Sequence, residues 1–149
     1  MENLSTEEKV ERKMFENKIA IILSNDLLNW QKLNVTSFLA SSIAISFPEV
    51  RGETFSTKTG DEYLPFINQP ILIYKADNDN EMKRVFNRAK ERSLNIGVYP
   101  QLFFSTKSAE ENHLVMESFN NEEQLLAGIV IYGETKKVYK TLDKLHLID

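Results

Sequence analysis

Cysteine is absent from the sequence, so the chain can form neither a disulfide nor a thiolate nucleophile or metal ligand. That absence fits a reducing compartment, and a cytoplasmic protein is expected. Histidine occurs twice, as His113 and His146, with no HxxxH or HxxE partner, which argues against a histidine metal site. Five glycines supply no Gly-rich phosphate cradle, and neither GxGxxG nor a P-loop pattern occurs, which disfavours the usual kinds of nucleotide binding. Asp77 and Asp79 in "DNDNE" lack the central Gly and closing Glu of an EF-hand loop and read as the start of a helix. No metal or cofactor is therefore expected. No apolar run approaches the roughly 20 residues that cross a bilayer, so no membrane partner is expected. The opening "MENLSTEEKVERKMFE" is polar and acidic, without the apolar centre of a signal peptide.

What is present has the balance of a globular protein: 149 residues, 42% hydrophobic and 27% charged. The expectation is one domain over 17–149, preceded by a polar extension or short helix over 1–16, where Ser5 and Glu8 have capping-box spacing. A net charge of −4 argues against a dedicated nucleic-acid coat protein. It leaves room for a local basic face: Lys83, Arg84, Arg88, Lys90 and Arg92 fall on one helix, and Lys136, Lys137, Lys140 and Lys144 on the last. If the two helices share a side of the sheet, they form a positive patch. Solvated helix faces are commonly charged as well, so RNA binding there stands beside a purely solvating role.

Along the chain, "KIAIILS" over 18–24 and "PILIYKA" over 70–76 are apolar without alternation, as strands covered on both faces read. From Asn29 to about Phe47, Leu33, Val35, Phe38, Leu39, Ala40, Ile43 and Ile45 cover most of a helical circumference, predicting a largely buried helix that Pro48 ends. "GETFSTKTGDEYLPF" reads as a hairpin turning at Gly60. An amphipathic helix follows, with Met82, Val85, Phe86 and Ala89 inward. Then come a strand over 94–100, a helix opened by Ser108 and Glu111 with Leu114, Val115 and Phe119 as its apolar side, and a strand over 125–133. A closing helix with Val138, Leu142 and Leu145 inward completes the chain. The sum is an α/β fold: a three-layer α/β/α sandwich on a mixed sheet of about four main strands, plus a β-hairpin.

The stretch "SNDLLNWQKLNVTS" gathers polar groups where the first strand turns into the first helix. Asp26 or Asn29 can cap that helix, and Asn34, Ser37 and Ser41 can line a close contact. The same residues lie past the end of a buried strand, where open α/β sheets bind ligands and helix N-termini favour anions. On that reading Lys32, Asn34, Ser37 and Thr106 are ligand-binding candidates for a small anionic ligand or a nucleic-acid end. Exposed apolar faces would instead serve a homodimer.

"KIAIILSNDLLNWQKLNVTSFLASS", "YLPFINQPILIYKA", "VYPQLFFSTKSAEEN" and "LAGIVIYGETKKVYKTLDKL" together resemble the family catalogued as domain of unknown function 2000. That family is similar in fold to the type II peptidyl-tRNA hydrolases of archaea and eukaryotes. The resemblance implies a first strand ending at Asp26-Leu27 and, with one residue deleted from the loop, gives Lys32 the place of the hydrolase turn lysine. It then puts Thr36 where a Gln is usual, no His follows, and "YPQLFFSTK" lacks the expected Asp. A helix-like insertion over 108–119 separates that segment from the last strand. The resemblance thus implies a shared fold with incomplete acid–base equipment, and a non-hydrolytic binding module is the leading expectation. The alternative is a hydrolase of peptidyl-tRNA or a related ester or amide, with Lys32 polarising the scissile group and Asp26 or Thr106 assisting.

Overall fold

The structure is a computed structural model that describes residues 15–123 and 125–149. The extension or short helix expected over 1–16 falls outside these residues, apart from Phe15 and Glu16 at its end. Strand β1 (Asn17–Ser24) is the centre of the sheet. Its apolar, β-branched run suits a strand covered on both sides, and Ile19 to Leu23 are at most 1% exposed.

The full order of elements is β1, α1 (Asn29–Ser46), β2 (Phe55–Ser56), β3 (Glu62–Tyr63), β4 (Ile71–Ala76), α2 (Asp79–Glu91), β5 (Asn95–Pro100), α3 (Ala109–Glu117), β6 (Leu126–Glu134), α4 (Thr135–Thr141) and β7 (His146–Leu147). Five strands make the main sheet in the order β5-β6-β1-β4-β7, with β1 and β4 parallel and the other pairs antiparallel. Ile19, Ile21 and Leu23 point to one face and pack with Val35, Leu39 and Ile43 of α1. Ala20 and Ile22 point to the other and pack with Met82, Val85, Phe86 and Ala89 of α2 and Val138 of α4. Helices thus cover both faces, as the apolar patterns predicted.

Three expectations change. Helix α1 buries only Val35, Leu39 and Ile43, while Leu33, Phe38 and Ile45 are 60–74% exposed. Its apolar residues encircle the helix, but one face alone reaches the sheet. Helix α3 buries none of its residues, and Leu114 is exposed. The expected closing helix ends at Thr141. Lys144 takes φ 70°, and the chain reverses so that β7 pairs with β4 and Ile148 N–H donates to Ile73 O at 2.9 Å. Val138, Leu142 and Leu145 are buried as expected. The small hairpin β2–β3 turns where Gly60 takes φ 92°.

The two ends of α1 are secured differently. At the N-terminus the cap position is Leu28, whose side chain accepts nothing; its N–H donates to Gln31 Oε1 at 2.9 Å. Neither Asp26 nor Asn29 caps the helix. At the C-terminus Phe47 leaves helical geometry before Pro48, and the Arg51 guanidinium donates to the Ala44 and Ile45 carbonyls, each at 2.7 Å. It satisfies carbonyls that the helix ends without.

Candidate functional site

Helix α1 lies over one face of the sheet and reaches the edge strand β5, where its Ser42 stands against Gly97. Between it and the segment after β5, a 3-10 turn (Gln101–Ser105) running into α3, opens a cleft of about 650 Å³. Its floor is Gly97, Val98 and Tyr99 of β5. Glycine is required at the floor because a Cβ on Gly97 would stand 2.8 Å from Val130 Cγ1 and 3.0 Å from Ser42 Oγ. One wall is Trp30, Asn34 and Phe38 of α1, and the other is Phe103, Phe104, Thr106, Lys107 and Asn112.

The walls meet through rings. Trp30 and Phe104 stand edge-to-face with centroids 6.0 Å apart, and Tyr99 lies 5.3 Å from Phe103, 5.3 Å from Phe104 and 5.8 Å from Phe38. Among the described residues the Tyr99 hydroxyl and the Asn34 amide have no hydrogen-bond partner, and the Lys107 ammonium has no ion pair. Burial raises the Tyr99 phenol above its ordinary pKa, so it stays protonated at neutral pH. Thr106 Oγ1 is within hydrogen-bonding reach of the Phe103 carbonyl, at 2.9 Å, and of Asn112 Oδ1. Ser108 caps α3 by accepting from Glu111 N–H at 3.1 Å, which is half of the capping box that the spacing predicted; the Glu111 carboxylate accepts from Lys107 N–H, one residue before the cap, rather than from Ser108 N–H. No carboxylate or imidazole is found among the described residues lining this cleft.

The candidates read from the sequence are distributed around α1. Asn34 and Thr106 face each other across the aromatic cleft. Lys32, two positions from Asn34 and so about 200° around a helix, lies on the opposite flank, in a cleft of about 510 Å³ with Asn25, Asn29, Thr36 and Asp149. Ser37 is on the outer ridge, where its hydroxyl donates to Leu33 O at 2.9 Å. Asp26 is an exposed residue of the turn before α1. The rings that build the cleft were not singled out in the sequence. The available signal was Trp30 and Phe38 two turns apart on one helix, followed much later by Tyr99, Phe103 and Phe104 just past a strand.

The basic helices α2 and α4 do share one face of the sheet. Several of their cations are engaged there: Arg88 Nη1 donates to Asp143 O at 3.1 Å, Arg84 pairs with Glu81 at 3.6 Å, and Lys137 with Glu134 at 4.0 Å. Among the described residues no three or more acidic or histidine side chains are grouped to hold a metal ion, and no helix is long and apolar enough to cross a membrane.

No functionally curated protein matches the chain. A solved structure of a protein of unknown function from Agrobacterium tumefaciens is similar, with a TM-score of 0.87 and 32% identity over 91% of this chain and 100% of the other. Sheet, hairpin and both clefts lie within the stretch that matches a single family profile, residues 17–149, and on that match the chain belongs to the family described as Protein of unknown function (DUF2000).

Proposed function

We propose that this chain is a non-hydrolytic small-ligand-binding module whose site is the cleft between α1 and residues 101–112. The observation that carries the reading is the combination of a roomy ring-lined cavity with hydrogen-bonding groups left without partners. Ligand sites are typically concave, mostly apolar and furnished with a few placed polar groups. Asn34 and Lys107 are exposed and Tyr99 is half-buried, so water meets these groups in the free protein and a ligand in the cleft would take its place.

Kinship with type II peptidyl-tRNA hydrolases is supported by a first strand that leads through a short turn holding Asp26-Leu27 into a long helix, although the strand itself stops at Ser24, before the expected Asp-Leu end, and by a late strand that passes Gly133 just before α4. Hydrolysis is the weaker reading. Thr106 is held between the Phe103 carbonyl and Asn112 rather than against a base, Lys32 opens to the other flank, and the cleft lining supplies no carboxylate or imidazole to move a proton.

A thermal-shift screen of a small-molecule library tests the proposal. Hits on the wild type should bind Asn34→Ala, Asn112→Ala at least about tenfold more weakly, through the loss of two directional partners. They should bind Lys32→Ala as well as wild type. Hits that respond to Lys32→Ala alone would move the site to the other flank, and release of peptide from peptidyl-tRNA above the buffer rate would replace binding with catalysis.

A further inference from the structure

We infer that the cleft takes a planar aromatic ligand bearing an anionic group, with its ring against Trp30, Phe104 and Tyr99 and its anion at Lys107. This rests on the ligand-site reading above and narrows it to a chemical class.

The ring requirement comes from the walls. Trp30 and Phe38 belong to the aromatic cluster, yet they are 55% and 60% exposed, so the cluster leaves ring surface open to the cavity. Aromatic faces and edges carry opposite partial charge, and a further ring meets them in offset or edge-to-face contact better than an aliphatic group of equal area does. The charge requirement comes from Lys107. It is the single charged side chain among the described lining residues, and its ammonium has no ion-pair partner among the described residues. A cation alone on an apolar cleft favours an anion, and charge-assisted hydrogen bonds are stronger than neutral ones. The Asn34 amide, the Tyr99 hydroxyl and the two N–H donors on Asn112 Nδ2 add directional groups around the ring. Lys107 is exposed, so a neutral ring would leave its ammonium to water and gain nothing from it, and an aliphatic anion would leave the ring faces against water.

The chain has one tryptophan, so the indole N–H of Trp30 gives one resonance in a proton–nitrogen correlation spectrum and reports on this cleft. Three probes separate the requirements: 2-naphthoate (ring and anion), 2-naphthamide (ring alone) and cyclohexanecarboxylate (anion alone). The expected result is that 2-naphthoate shifts the indole resonance with an affinity at least about tenfold above either other probe. Lys107→Ala should lower 2-naphthoate to the level of the amide, while Lys58→Ala in the hairpin turn leaves it unchanged. Equal affinity for all three probes, or undiminished 2-naphthoate binding by Lys107→Ala, would overturn the ligand class and leave the cleft as a binding site. No movement of the Trp30 resonance with any probe would overturn the class and count against the site itself.

Discussion

The indole of Trp30 stands edge-on to the ring of Phe104, with centroids 6.0 Å apart and planes inclined at 73°. One ring sits in the first turn of α1, which rides on the central strand, and the other in the short turn that leaves β5. Both rings line the candidate cleft, and their contact joins its two walls. Replacing Phe104 with Ala should therefore free the indole. The expected outcome is a changed Trp30 emission in the folded state and a loss of about 1–2 kcal/mol in urea unfolding, less than for a fully buried Phe because the pair is partly solvated.

The Arg51 guanidinium closes the far end of the same helix by donating to Ala44 and Ile45 carbonyls. Arg51→Ala removes both donors and should cost about 1–2 kcal/mol, measured by urea unfolding. Arg51→Lys should restore a part of this, since one ammonium cannot reproduce the two-donor fork.

Gly97 permits α1 to lie close to β5 at the cleft floor. Gly97→Ala places a methyl against Val130 and Ser42 and should destabilise by about 1–3 kcal/mol. Pairing it with Val130→Ala should reduce that penalty relative to the sum of the single changes, which a double-mutant cycle reads directly.

Tyr99 and Tyr132 both titrate above the ordinary tyrosine value of about 10. Burial is the cause for Tyr99; for Tyr132 it is the main cause, with the Glu49 carboxylate, which accepts from its hydroxyl at 3.2 Å, adding to it and a hydrogen bond with Asn17 opposing it. In the unfolded chain both phenols ionise at the lower, ordinary value. The stability that keeps them neutral is complete below about pH 10 and is lost as pH rises through the raised folded values. Urea unfolding across the alkaline range should show that decline, and Tyr99→Phe should make it shallower.

Most of the fold was legible because β1 and α2 each carry one unambiguous pattern: a solid apolar run for a strand covered twice, and apolar positions at helical spacing for one inward face. Helix α1 misled because Leu33, Phe38 and Ile45 are as apolar as Val35, Leu39 and Ile43, and hydrophobicity alone does not say which side meets the sheet. The last turn of chain misled because Lys144 adopts a left-handed conformation that usually announces itself as Gly or Asn. In the candidate cleft, Asn34 and Thr106 are the lining residues that their polar character at a strand end had singled out. The separation of Lys32 from Asn34 was readable in principle, since neighbours two apart on a helix face opposite ways. The aromatic walls were not, because Trp30 and Phe104 become neighbours only once β5 lies beside β6 on the far side of β1.

The most direct test is a crystal of the protein soaked with 2-naphthoate. The account predicts density for the ring beside Trp30, Phe104 and Tyr99, with the carboxylate within hydrogen-bond reach of Lys107 Nζ. Density in the cleft beside Lys32, or an unoccupied aromatic cleft at saturating probe, would contradict it.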